Sequence, residues 1–243
     1  MPRLDFVLAQ RTGLSRSQTH KLIASRRVTL TDSLGLACVA STPKTQVDVH
    51  QAQICIDGAP VLALPRLAAL YKPVGFLTST RIHGSARSIW ELVPENWRRN
   101  LHPVGRLDLD TSGLLLLSSE GDLTHLILHP DSGIEKEYEA VVQGFPVEDS
   151  LRQVLQAGVP SKSPHDPRNY SGEVLSVQSN KVRLVVTEGR HRMVRRMLAN
   201  AGFPVLELHR SRIGGLELTS LQLTPGAVVA VNANTVLGSR YAN

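Results

Sequence analysis

Four consecutive leucines, Leu114 to Leu117, are bounded by Gly113 on one side and by Ser118-Ser119-Glu120-Gly121 on the other. An apolar run this short suits a strand covered on both faces, although its periodicity alone also admits a buried helical segment. The nine residues before it, Gly105-Arg106-Leu107-Asp108-Leu109-Asp110-Thr111-Ser112-Gly113, place an arginine and two carboxylates against that buried run. Such a layout implies a polar site at the rim of a sheet. If Leu107 to Leu109 is extended, Asp108 faces away from its two leucine neighbours. The competing reading makes Asp108 and Asp110 turn formers that bond nearby backbone N–H groups.

With 243 residues the chain has material for one large domain, or for a small one followed by a medium one, and needs no disulfides to hold a core. Its two cysteines, Cys38 and Cys55, read as reduced residues of an intracellular protein, and neither they nor the nine scattered histidines form a metal-binding pattern. The start, Met-Pro-Arg-Leu-Asp, lacks the apolar segment of a signal peptide, and no later run is long enough to span a bilayer. The expectation is a soluble, cytoplasmic protein without membrane contact. A formal charge of +6 favours a polyanionic partner. Residues 1–31 hold six cations (Arg3, Arg11, Arg16, Lys21, Arg26, Arg27) against Asp5 alone, and residues 188–212 hold six arginines against Glu188 and Glu207.

Leu4, Val7 and Leu8 share one helical face between Arg3 and Arg11, and Thr12-Gly13 breaks it. Ser15 then reads as the N-cap of a second helix, Arg16 to Ser25, with Leu22 and Ile23 turned inward. Strands at Val28–Thr31 and Gln53–Asp57 complete a module of residues 1–60, and the turn residues from Gly58 to Pro65 separate it from a second domain, 66–240. There the patterns predict strands at Leu67–Tyr71, Leu114–Ser118, Glu137–Val142, Gly172–Val177 and Val182–Thr187, and helices at Asp122–Leu128, Val147–Ala157 and Arg190–Ala201. The fold class is α+β: a small N-terminal α/β module, then a domain with a mostly antiparallel or mixed sheet and flanking helices.

Three stretches carry the chemistry together: the Asp108 turn, the alternating strand Glu135-Lys136-Glu137-Tyr138-Glu139, and Glu188-Gly189-Arg190-His191-Arg192-Met193-Val194-Arg195-Arg196-Met197. In the last, Val194, Met197 and Leu198 form a buried side while Arg192, Arg195 and Arg196 cover the adjacent arcs. A helix so charged calls for anions nearby. The set resembles, in the same order along the chain, the motifs of the RsuA/RluB family of RNA pseudouridine synthases: Gly105-Arg106-Leu107-Asp108 with Thr111-Ser112-Gly113, Lys136-x-Tyr138, the Glu188 to Met197 segment, and Leu208-His209-Arg210-x-Arg212-Ile213-Gly214. The N-terminal pattern Arg3-Leu4-Asp5…Leu14-Ser15-Arg16…Leu22-Ile23…Val28 resembles the S-four-type RNA-binding domain that precedes the catalytic domain in that family.

The resemblance implies that Asp108 is the catalytic carboxylate, that Tyr138 stacks on the target uracil and that Arg195 pairs with Asp108. It further implies RNA contacts from Arg3, Arg16, Lys21, Arg26, Arg27, Arg106, Arg190, Arg192 and Arg196. Pseudouridylation breaks the N1–C1′ bond, turns the base and rejoins it through C5, so no cofactor or metal is expected. The expected partner is ribosomal RNA or an assembling ribosomal subunit, with small-subunit RNA slightly preferred, and the expected state is a monomer. Without the resemblance, Tyr138 reads as a packing residue and Arg195 as a solvated or phosphate-binding cation. Lys72-Pro73-x-Gly75 resembles a further family segment, but reads as a Pro-Gly turn without a direct role.

Three departures stand out: Met193 where the family often has Gln or Glu, the proline-bearing stretch from Ser161 to Tyr170, and Thr31-Asp32 where an Asn-Gly turn is frequent. Two other functions compete. A noncatalytic RNA-binding assembly factor would not need a carboxylate in a positive cleft, and a two-carboxylate glycosidase needs a separation that neighbouring turn residues seldom provide.

Overall fold

The computed structural model describes residues 1–31, 36–48, 52–61, 64–79, 87–162 and 167–238. Asp32 of the Thr31-Asp32 pair and the middle of the 161–170 stretch lie outside them. Internal contacts gather into two units, Met1–Pro65 with Val93–Leu101, and Arg66–Leu92 with His102–Asn243. The return of Val93–Leu101 to the first unit has no counterpart in the sequence reading.

In the first unit, helices α1 (Leu4–Thr12) and α2 (Arg16–Ala24) precede strands β1 (Val28–Thr31), β2 (Ala37–Val39), β3 (Gln53–Ile56) and β4 (Ala59–Val61), with a short α3 at Glu95–Arg98. Gly13, in the left-handed region, closes α1, and Ser15 caps α2 through a reciprocal box with Gln18. The strands pair in the order β2-β1-β3-β4. Leu4, Val7, Leu8, Ile23, Val28 and Ile54 form the core, so the apolar faces expected for both helices are the buried ones. Cys38 lies opposite Leu30 and Cys55 opposite Thr29, on opposite faces of β1, and both are free thiols.

The second unit is built on a mixed nine-stranded sheet. Its strands are β5 (Leu67–Lys72), β8 (His102–Val104), β9 (Thr111–Ser118), β10 (Lys136–Val142), β11 (Glu173–Gln178), β12 (Lys181–Val186), β13 (Val205–Ile213), β14 (Leu216–Glu217) and β15 (Val228–Ala230). The main order is β11-β12-β10-β13-β9-β5-β15, with β14 on β13 and β8 on β9; β6 (Phe76–Leu77) and β7 (Arg87–Ser88) form a separate pair. Helices α4 (Gly121–Leu128), α5 (Glu148–Ala157), α6 (Met193–Asn200) and α7 (Ala233–Leu237) accompany it. Leu114 to Leu117 are each fully buried, as a strand covered on both faces requires.

The central strand β13 has no counterpart among the predicted elements. Its middle, Leu208-His209-Arg210-Ser211-Arg212, carries charge where a central strand is ordinarily apolar, and its cross-strand partners supply the compensation. Arg212 meets Glu137 and Glu135 of the β10 segment, while His209 Nδ1 meets Ser112 Oγ of β9 at 2.9 Å. β13 runs parallel to β9 with Arg210 opposite Gly113, and antiparallel to β10 with Arg210 opposite Tyr138. A Cβ on Gly113 would fall 2.3 Å from the Arg210 carbonyl oxygen, and its φ of +113° is one that side chains avoid, so this pairing demands glycine.

Candidate active site

Lys72, the last residue of β5, shapes the turn between β8 and β9. It is fully buried, and its Nζ donates to the carbonyls of Pro73 (3.1 Å), Asp108 (3.0 Å) and Thr111 (2.8 Å). The Thr111 N–H closes the turn onto Asp108 O at 3.1 Å, and Gly75 N–H holds Leu109 O at 2.8 Å. Burial pushes the Lys72 ammonium down to about 8, against the opposing pull of Asp108 and Asp110. Leu107 is buried while Leu109 is 44 % exposed, so the segment is a turn and not an extended strand with both leucines on one face. Asp108 is thereby presented on a backbone clamped from below.

Opposite the turn, α6 begins one residue after Arg192, whose backbone is left-handed at φ 50° and ψ 29°. That conformation is uncommon for a residue with a Cβ and breaks the helix expected from Arg190. It sends the Arg192 guanidinium to both carboxylates, Nη2 lying 3.0 Å from Asp110 Oδ2 and Nη1 3.6 Å from Asp108 Oδ2. Arg195 lies deeper, its side chain 9 % exposed; Nη2 donates to Asp110 O at 2.6 Å and Nη1 to Val205 O at 3.3 Å, with Nε 3.4 Å from Asp110 Oδ2. The expected pairing of Arg195 with Asp108 is therefore corrected: the ion pair is with Asp110, and Arg192 is the cation nearest Asp108. The cause is the bend of the turn, which aims Asp110 at the helix. Burial alone would raise the Asp110 carboxyl, but the Arg192 hydrogen bond and the Arg195 and Arg192 charges hold it below the usual carboxylate range.

Asp108, Tyr138 and Arg195 line one cavity of about 390 Å³, together with Arg106, Lys136, Arg190, Arg192 and Arg210. That volume falls among those of small-molecule sites. The alternation of β10 puts Lys136 and Tyr138 on the cavity side, while Glu137 points away to Arg183 and Arg212. Tyr138 is 9 % exposed, and its hydroxyl accepts from Arg210 Nη1 at 3.3 Å. Arg106 is exposed at the rim.

Of the remaining sequence-predicted cations, Arg190 lines the cavity but is engaged elsewhere, and the rest do not line it. Arg190, expected at an RNA surface, turns inward: it stacks 4.4 Å from the Tyr170 ring and donates to Arg168 O, Asn169 O and Glu188, so its charge serves the loop before β11. Arg196 does not line the cavity; its Nη2 approaches His191 Nδ1 at 3.5 Å. In the first unit, Arg3 is paired to Asp5 and Arg27 to Asp57, Arg16 lies over the Phe6 ring at 5.6 Å, and Lys21 and Arg26 are exposed. Among the described residues no cluster of His, Cys, Asp or Glu could hold a metal, and no helix is long and apolar enough to cross a membrane.

Residues 66–200 match the family model of RNA pseudouridylate synthases. The chain belongs to the RNA pseudouridine synthase family. It is 35% identical to the ribosomal small subunit pseudouridine synthase A of Escherichia coli strain K12, over 92% of this chain and 94% of that one. The same-named protein of Pasteurella multocida is 33% identical, over 96% and 97%. A crystal structure of a pseudouridylate synthase matches with a TM-score of 0.63 and 26% identity, over 97% of this chain and 98% of the other. As an RNA pseudouridine synthase the protein is an isomerase, and the mixed α+β architecture expected from the sequence is the family's own.

Three residues of this pseudouridine synthase were given no role from sequence: Lys72, Lys136 and Arg210. Period-2 alternation in Lys136-x-Tyr138 and Leu208-x-Arg210 was the available signal, since it sets each cation on the face of a residue that lines the cavity.

Proposed function

We propose that the protein converts one uridine of ribosomal RNA to pseudouridine, small-subunit RNA being the favoured substrate, with Asp108 as the catalytic carboxylate. The observation that carries this reading is the convergence of Asp108, Tyr138 and a guanidinium on one cavity whose backbone is clamped by a buried lysine. The relatives named for small-subunit ribosomal RNA cover nearly the full chain, which supports the substrate class.

The Arg192 guanidinium, 3.6 Å from Asp108, orients the carboxylate, which attacks the sugar carbon or assists proton removal there. Tyr138 offers a face on which the detached base turns. Because N1 and C1′ are inaccessible in a stacked helix, the target nucleotide is turned out at a cost of about a few kcal/mol, offset by contacts from Arg106, Arg192 and Arg196 to the backbone. Residues 1–60 act as an S-four-type RNA-binding domain through Arg16, Lys21 and Arg26, residues 66–240 as the catalytic domain. Arg3 and Arg27 reach RNA only by sharing or leaving their aspartates.

The test is incubation of the purified protein with deproteinised and partly assembled small-subunit and large-subunit RNA, followed by carbodiimide-based mapping. One new pseudouridine is expected. Equal modification by Asp108→Asn overturns the carboxylate role, and modification confined to large-subunit RNA overturns the substrate assignment.

A further inference from the structure

Two buried cations border the cavity, neither with a carboxylate partner among the described residues. Arg210 is 6 % exposed; its Nε donates to Leu114 O at 2.7 Å and its Nη1 to the Tyr138 hydroxyl, while Nη2 is buried with no hydrogen-bond partner among the described residues. Lys136 is 5 % exposed, and of the three hydrogen bonds its ammonium can give, one is made, to Thr187 O at 2.9 Å. The carboxylates nearby are engaged elsewhere: Asp108 and Asp110 with Arg192, Glu188 with Arg190, Glu137 with Arg183 and Arg212. Burial, and then the Arg210 charge, push the Lys136 ammonium down to about 8. Uncompensated charges of one sign in a buried wall cost folding free energy, and such sites persist where an anion is to be met.

The surroundings say what kind of anion. Beside these cations stand the Tyr138 ring, Val186 and Leu208, a flat aromatic and apolar lining that suits a heterocycle better than a phosphate. Resting on the reading that Asp108 acts on an everted uridine, we propose that Arg210 and Lys136 form the seat that holds uracil as an anion between its departure through N1 and its return through C5.

The electron count requires such an anion. When N1–C1′ breaks, the bonding pair leaves with N1 and spreads onto O2 and O4. Asp108 balances the sugar either by bonding C1′ until C5 displaces it, or by taking a sugar proton and returning it. C5 then bonds C1′ and loses its proton while N1 gains one, so nothing is added or lost. Donors aimed at the carbonyl oxygens where this charge develops lower the barrier to departure, an effect worth about 100-fold or more per donor in a water-poor site.

The test follows the loss of the N1–C1′ bond in single turnover, using one RNA with either uridine or 5-fluorouridine at the target, since the fluorinated base leaves more readily. Lys136→Met and Arg210→Gln are expected to slow the uridine RNA by about 100-fold and the fluorinated RNA by about tenfold. The charge-keeping Lys136→Arg and Arg210→Lys should regain part of the loss. Equal slowing of both RNAs by the neutral variants would overturn the seat and leave a structural role. If Arg210→Gln does not fold, the Lys136→Met comparison alone decides. Asp108→Asn is run in parallel: full activity there sinks the carboxylate reading, whereas an inactive Asp108→Asn beside an undiscriminating Lys136→Met sinks only the seat.

Discussion

The floor and the mouth of the cavity hold the same kinds of side chain and treat them in opposite ways. At the mouth, Arg192 is 38 % exposed and tied to the two aspartates, and Asp110 is itself half exposed. At the floor, Arg210 and Lys136 are buried and, among the described residues, bonded only to carbonyls and a phenol. A mouth cation has water and a resident carboxylate as alternatives, so it can exchange partners at little cost. Floor cations have neither, and their unused donors are held in place before any ligand arrives. On the proposed reading, positive charge here has two tasks, gripping a backbone that comes and goes and stabilising a charge that exists only during reaction.

The largest way to break this comparison is Asp108→Asn. It preserves the turn, since Lys72 and Thr111 bind the backbone of residue 108 and not its carboxylate. Arg192 keeps Asp110 as its main partner. The expected loss in single-turnover rate at saturating RNA is therefore chemical, at least about a thousandfold. A loss below tenfold would mean that the carboxylate serves only to tether Arg192.

Next comes Lys72→Met, which removes the support beneath the turn that carries the two mouth aspartates. The carbonyls of Asp108 and Thr111 lose a buried donor, at about 1–3 kcal/mol each, partly offset because a desolvated charge is removed as well. Urea unfolding should report a net loss of about 1–3 kcal/mol. The rate should fall about tenfold or more, because a carboxylate displaced by an ångström loses its alignment. Destabilisation without any loss of rate would show that the turn holds its shape unaided.

Parts of this arrangement were legible in the sequence and parts were not, for physical reasons. Leu114 to Leu117 announced a strand because apolar burial is a local property of the chain. The strand beside it, β13, did not, because Arg212 is balanced by Glu137 and Glu135 and Arg210 bonds the Tyr138 hydroxyl, partners about 70 residues distant. The resemblance singled out Asp108 but not the cation nearest it, since the left-handed backbone at Arg192 cannot be inferred from residue type. Arg190 looked like a surface cation because nothing in its neighbourhood of sequence foretells the Tyr170 ring beneath it. Lys72 read as part of a turn, and only tertiary structure shows the turn it fastens to be the one bearing Asp108.

A pH profile sharpens the floor half of the comparison. Lys136 donates to an anion only when protonated, so the single-turnover rate should hold below about pH 8 and fall above it. The charged and titratable groups that share its cavity include Arg106, Asp108, Glu188, Arg190, His191, Arg192, Arg195 and Arg210, and the arginines stay charged throughout. Lys72 titrates in the same range, so the wild-type profile does not separate the two lysines. Lys136→Arg does: the alkaline fall should become shallower and shift upward. An unchanged profile in that variant would assign the fall to Lys72. Stability moves the other way, because both lysines carry folded values below 10.5: from about pH 8 upward the unfolded chain retains protons that the folded one has shed, and their contribution to stability rises.

The smallest expected effect tests the mouth by setting two arginines against each other. Arg106 makes no ion pair or hydrogen bond among the described residues, whereas Arg192 must leave Asp110 at 3.0 Å before it can meet a phosphate. Each phosphate contact to single-stranded RNA contributes a slope of about 0.7 in the dependence of log affinity on log salt, or about fivefold in affinity near 0.1 M salt. Arg106→Gln should lose that amount in full. Arg192→Gln should lose less, about twofold, because the wild-type residue already spends part of its interaction on the aspartates. Filter binding across a salt series measures both. An equal loss would mean that the aspartate ion pair persists in the complex, with Arg192 bridging carboxylate and phosphate together, and the mouth would then be as fixed as the floor.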